Sequence, residues 1–212
     1  MLNILIACEN SNTMSSAFRK LGHKVLSADL LPSPDNCNHY QGDVFNLDLS
    51  SFDFIFAFPP CTYLCKAQMS QCNKDVIRKS KQSAALQFFL KIYYSNCKHI
   101  AIENPPGALT KLFRPADQTF SPHLFGDIYQ KQISLWLKNC PPVIINPSYE
   151  FAGKLKSVNN HCNSRMSQDQ RSQIRSSWKY FPRMSSALAI HFTNFFNHEN
   201  ELFDFNQTYH LK

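Results

Sequence analysis

The chain has 212 residues, of which 43% are hydrophobic and 17% charged, and a net charge of +7. That length suits one domain with a full core, and no apolar run approaches the roughly 20 residues of a membrane-spanning helix, so an embedded membrane function is not expected. The basic balance makes a polyanion the partner to test.

Residues 2–8 form a continuous apolar run, as a central parallel strand does when both faces are buried. The start lacks a basic n-region and a small-residue cleavage site, so it reads as that strand and not as a leader. Polar Glu9-Asn10-Ser11-Asn12 follows. Residues 13–21 then read as a helix with Met14, Ala17, Phe18 and Leu21 on one face, N-capped by Asn12 or Thr13 and stopped by Gly22. A second strand, 23–29, ends on Asp29. A proline-containing turn leads to a short segment around Tyr40 that ends at Gly42-Asp43-Val44. The strand 52–58 stops at Pro59-Pro60, because proline has no N–H for a sheet ladder. That stop delivers Cys61 into a loop, held rigidly and reachable from outside.

Residues 74–96 read as a long amphipathic helix. Residues 99–106 repeat the earlier pattern of an apolar strand, an acid (Glu103) and a proline stop. The stretch 107–127 reads as irregular, 132–137 as a strand, 147–177 as polar and basic, and 184–196 as a last helix. Strands alternating with helices argue a doubly wound α/β sheet with helices on both faces and a small, mostly irregular basic lobe. Ligands in such sheets bind at the carboxyl ends of the strands, where Glu9, Asn10, Asp29, Asp43 and Cys61 all fall. The expected organisation is a catalytic domain over 1–146, a short basic insert over 147–180, and a returning helix plus tail over 181–212.

The eight cysteines are scattered and form no disulfide framework. Reduced thiols in a cytoplasmic, nuclear or nucleoid-associated setting, not a secreted one, are expected. Cys61 and Cys65 stand four apart without matching His or Cys pairs, so no metal site is expected. Charge is uneven. Residues 1–60 hold only Arg19, Lys20 and Lys24 against six acids, whereas 153–183 hold seven cations against Asp169 alone.

These motifs resemble the cytosine-C5 DNA methyltransferases, especially their short phage and viral forms, over roughly residues 2–142. Pro59-Pro60-Cys61 looks like the family's Pro-Cys nucleophile motif, and Ile102-Glu103-Asn104-Pro105 like its Glu-Asn motif at a similar spacing. The resemblance implies a cysteine nucleophile at Cys61 and a carboxyl at Glu103 held against the cytosine ring. The family's Gln-x-Arg-x-Arg strand appears here as Gln130-Lys131-Gln132-Ile133-Ser134, without the arginines, which leaves Lys131 as the substitute cation. The cofactor implied is S-adenosylmethionine. The residues implied to line it are Ala7, Glu9, Asn10, Ser11 and Asn12 from the first loop, then Asp29, Leu30, Asp43 and Val44, with Phe58 and Pro59.

The resemblance departs from the family at two places. The Phe-x-Gly-x-Gly turn after the first strand is replaced by the glycine-free Cys8-Glu9-Asn10-Ser11-Asn12, similar to an Ala-Cys-Glu version in short phage relatives. The segment available for target recognition is short, with Arg165, Arg171 and Arg175 as the residues expected to touch phosphates. Low sequence specificity, a protein partner that supplies it, or a substrate other than duplex DNA is expected. The partner implied is DNA, duplex or single-stranded. The alternatives are C5 methylation of a pyrimidine nucleotide or RNA, and a degenerate methyltransferase fold that binds nucleic acid or protein.

Overall fold

The computed structural model describes residues 1–34, 38–157 and 181–209. Its centre is a seven-stranded sheet in the order β3-β2-β1-β4-β5-β8-β6. The strands are β1 (Asn3–Ala7), β2 (Lys24–Asp29), β3 (His39–Gln41), β4 (Phe54–Ala57), β5 (His99–Asn104), β6 (Gln118–Phe120) and β8 (Ile133–Lys138). A separate parallel pair joins β7 (Tyr129–Gln130) to β9 (Lys156–Ser157). The first five sheet strands are parallel, and β8 runs antiparallel to β5 and to β6.

Alternation along the central strands divides the core. Ile4, Ile6, Phe54 and Phe56 face one side, where they meet α1 (Thr13–Lys20) and α5 (Pro182–Tyr209). Leu5, Ala7, Ile55 and Ala57 face the other, where Phe89 and Ile92 of α3 (Val76–Tyr93) and Trp136 of β8 close over them. These side chains are fully buried, each large one contributing about 1.5–3 kcal/mol. The result is three layers, helices on both faces of one sheet. Among the described residues no helix is long and apolar enough to cross a membrane.

The helix expected over 74–96 is preceded by a second one, α2 (Lys66–Lys74), and the break falls at Asp75. The Asp75 carboxylate accepts from the Ile77 and Arg78 N–H groups and starts α3. α2 is polar and carries little apolar periodicity, which is why its sequence does not announce it. The stretch 107–127 is not irregular throughout: it holds α4 (Leu109–Leu112) and the edge strand β6.

Candidate active site

The strand order turns back between β1 and β4, and that switch point is where a doubly wound sheet opens a crevice at its carboxyl ends. The loops after these two strands lie side by side, with the Phe58 N–H donating to the Ala7 carbonyl at 2.9 Å. One loop carries Glu9 and the other Cys61.

The first loop solves its turn without glycine. Cys8 and Asn12 both sit at positive φ, 61° and 58°, a region costly for most side chains and least so for residues such as Asn. Between them the chain doubles back so that the buried Glu9 carboxylate faces α1. It accepts from the Met14 N–H at 2.7 Å, the Ser15 N–H at 3.0 Å and the Ser11 hydroxyl at 3.0 Å. Asn12 occupies the N-cap position, but its side chain makes no cap bond to the backbone; it accepts from the Ser15 hydroxyl and from Arg19. The capping expected of Asn12 or Thr13 is therefore done by Glu9, whose charge also suits the positive end of the helix.

Asp29 ends β2, and Asp43 opens the turn after β3. Asp29 accepts from the Leu31 N–H and Asp43 from the Phe45 N–H. Both carboxylates push the Cys8 thiol in the same direction, upward, behind the larger effect of burial. Their charges therefore converge at the end of β1. Leu30 stands beside them 72% exposed.

Cys61 follows the proline stop. Its carbonyl accepts from the N–H groups of Leu64 and Cys65, closing a tight turn. That turn is clamped to the loop after β5: the Ala108 N–H donates to the Leu64 carbonyl at 2.7 Å and the Lys66 N–H to the Pro106 carbonyl at 3.3 Å. The clamp needs Gly107, because a Cβ there would lie 2.0 Å from the Leu64 carbonyl oxygen. The fully buried Asn104 adds a side-chain tie, its amide donating to the Pro59 carbonyl at 3.1 Å.

Glu103, the penultimate residue of β5, is buried. The antiparallel register of β8 pairs Glu103 with Leu135 and Asn104 with Ser134, so the residues just before β8 lie at the carboxyl end of β5. That geometry brings the Lys131 ammonium 3.8 Å from the Glu103 carboxylate. The same ammonium lies 5.9 Å from the centre of the Phe181 ring. Burial pushes the Cys61 thiol up to about 11; the Glu103 charge adds to the rise and Lys131 opposes it. Thiol, carboxyl and ammonium thus act on one another at one end of the sheet.

Of the residues expected at the site, Cys61, Glu103 and Lys131 come together, and Asp29 and Asp43 converge on the end of β1. Ala7 and Val44 are buried as core, and Phe58 and Pro59 carry the chain from β4 to Cys61. Asn10 and Ser11 are half-buried in the first loop. Arg165, Arg171 and Arg175 lie outside the described residues. Sequence reasoning placed Asn104 in the Glu-Asn motif without its tie to Pro59, and it missed Gly107 as part of the site. The signal available was the run Asn104-Pro105-Pro106-Gly107, in which a glycine directly after two prolines marks a close backbone approach.

No known protein-family profile matches the chain, and no curated protein matches it. Solved structures similar to it include the Entamoeba histolytica methyltransferase EhMeth, at 14% identity and a TM-score of 0.47 over 80% of this chain and 62% of that one. Two others are the S. pombe Dnmt2 methyltransferase (14%, TM-score 0.41, 80% and 61%) and a mutant form of Spodoptera frugiperda DNMT2 (14%, TM-score 0.42, 80% and 62%). The chain spans less than two thirds of the length of each.

Proposed function

We propose that this chain methylates C5 of cytosine in a nucleic acid, through a covalent adduct on Cys61. The observation that carries the reading is the meeting of Cys61, Glu103 and Lys131 at the carboxyl ends of adjacent strands beside the switch point. C5 of cytosine is too electron-poor to attack a methyl donor unaided. Cys61 Sγ adds to C6, which turns the ring into an enamine and makes C5 a nucleophile. The Glu103 carboxyl, held against N3 and the exocyclic amine, stabilises the charge that addition pushes into the ring. Lys131 serves the O2 side with its ammonium. Once C5 carries the methyl group, solvent water takes the C5 proton, the C5–H electron pair forms the C5–C6 double bond, and the Sγ–C6 bond breaks with its pair to regenerate the thiolate. A target in a duplex has to leave the stack to reach Cys61.

The methyl donor is S-adenosylmethionine, which supplies an electrophilic methyl on a sulfonium. The residues present fit its nucleoside half. Two carboxylates converge at the end of β1, where Asp29 would hold ribose hydroxyls and Asp43 the adenine edge. Leu30 offers an exposed apolar surface beside them. Glu9 contributes by holding α1 and the turn in place, and the backbone of that turn is left to meet the methionine half.

The test is trapping. Incubation with S-adenosylmethionine and an oligonucleotide carrying 5-fluorocytosine should give a covalent complex, because fluorine at C5 cannot leave as a proton does. Cys61→Ser should abolish it. Absence of any complex on DNA and RNA alike sinks the proposal. Calorimetry with the methyl donor, repeated on Asp29→Ala, tests the nucleoside pocket on its own.

A further inference from the structure

The Cys61 turn is followed directly by the two helices α2 and α3, and their sequence is lopsided. Between Lys66 and Gln82 stand Lys66, Lys74, Arg78, Lys79 and Lys81, with Asp75 as the single acid. Asp75 is already spoken for: it caps α3 and lies 3.6 Å from the Arg78 guanidinium. Arg78 in turn donates to Gln68 and so braces the two helices. The four lysines are exposed. An ordinary solvated helix face intersperses both signs; this one does not.

The basic corner is fixed to the active-site turn. The buried Gln82 amide donates to the Tyr63 carbonyl at 3.0 Å, two residues past Cys61. The Lys81 ammonium lies 5.8 Å from the centre of the Tyr63 ring. Lys66 itself is tied by its N–H to the Pro106 carbonyl of the loop that follows Glu103 and Asn104. At the tip, where α2 meets α3, Val76 and Ile77 are 86% and 69% exposed. A bare aliphatic pair, set in the chain between Lys74 and Arg78-Lys79, costs solubility unless something covers it.

We infer that the α2–α3 corner is a nucleic-acid docking surface, its lysines on backbone phosphates and Val76–Ile77 against sugars or bases. Charge complementarity with a polyanion and attachment to the Cys61 turn select this occupant. Aliphatic side chains among cations are how some proteins press on bases in a groove. The inference rests on the reading that the target cytosine belongs to a nucleic acid. It gives the chain a phosphate contact on the side of the site formed by its own catalytic loop.

The experiment is a salt titration of binding by fluorescence anisotropy, using labelled 20-nucleotide single strands and 20-base-pair duplexes of DNA. All proteins carry Cys61→Ser and no methyl donor is added, so chemistry does not enter. Each phosphate contact contributes about 0.7–0.9 to the slope of log affinity against log salt. Lys74→Gln with Lys79→Gln should lower that slope by about 1.4 to 1.8 and the affinity at 0.1 M salt about tenfold or more. Lys20→Gln with Lys24→Gln removes the same charge at the opposite, amino end of the sheet and should change affinity less than about twofold. Ile77→Ser should weaken binding with the slope unchanged. Circular dichroism melts verify that each variant is folded, and Lys74→Arg with Lys79→Arg should restore the slope. An equal loss from both lysine pairs would overturn the inference, since net charge alone would then explain binding. Binding to phosphatidylserine vesicles through Lys74 and Lys79, without binding to either oligonucleotide, would overturn it in favour of a lipid surface. Patch-dependent binding with no fluorocytosine trapping in the wild-type protein would leave the surface standing and remove the methyltransferase.

Discussion

At Cys61 two opposite charges act on one thiol. Burial and Glu103 hold it protonated up to about 11, and Lys131 pulls the other way. A thiol is a nucleophile only as thiolate, so below that value the reactive fraction grows about tenfold per pH unit. Alkylation of Cys61 by iodoacetamide, followed by peptide mass spectrometry, should therefore be slow at neutral pH and rise steeply towards pH 10. Removing the negative neighbour lowers the thiol's pKa, so Glu103→Gln should label faster at a fixed pH. Removing the positive one raises it, so Lys131→Met should label more slowly. Methyl transfer should nevertheless fall in both, by about a hundredfold for Glu103→Gln. Faster labelling with slower transfer separates electrostatic tuning from simple disruption. It also gives the resting protein a physical logic: with Glu103 beside it and burial around it, Cys61 stays protonated at neutral pH.

Among the elements, the site depends on two loops that the sequence shows only in part. The central strands β1, β2, β4 and β5 were legible because their apolar runs end on acids or prolines, and a parallel strand buried on both faces has to read that way; the short β6, β7 and β9 carry no such run. Asp29, Cys61 and Glu103 stood out for the same reason, each placed where such a run stops, and Asp43 by its place after a short segment that closes on Gly42. What held them in place was not legible. The sequence shows Glu9 at a strand end but not that its carboxylate turns to α1, because that depends on positive φ at Cys8 and Asn12. Glu9→Ala leaves two buried N–H groups without their acceptor and should cost about 1–2 kcal/mol, or several degrees in Tm for a chain of this size. Gly107→Ala is the sharper test. Its Cβ would press on the Leu64 carbonyl, so the Cys61 turn has to shift. We expect a loss of about 1–3 kcal/mol in urea unfolding and, in the protein that still folds, a marked loss of fluorocytosine trapping, since a misplacement near 1 Å costs about a hundredfold in rate.

At the scale of the whole molecule, the chain closes on itself through its last helix. Phe192 of α5 packs at 5.0 Å against Phe54 and 6.0 Å against Phe56, both on the strand that leads to Cys61. The His23 ring lies 2.8 Å from the Thr193 hydroxyl, which joins the start of β2 to the same helix. Apolar periodicity announces α5 but not its partner, because nothing local in 184–196 says which face of which sheet it covers. The reversed direction of β8 is equally silent in sequence, yet it is what carries Lys131 to Glu103. Since α5 packs on the face away from α3, its loss should weaken the fold without redrawing the site. Phe192→Ala removes a fully buried ring and should cost about 3–5 kcal/mol in urea unfolding. Below its new melting temperature the variant should keep the wild-type pH profile of Cys61 alkylation, because Glu103, Lys131 and the clamp at Gly107 are untouched. A changed profile would mean that the helix reaches the thiol through Phe56 and the β4 strand, making the sheet's two faces one mechanical unit.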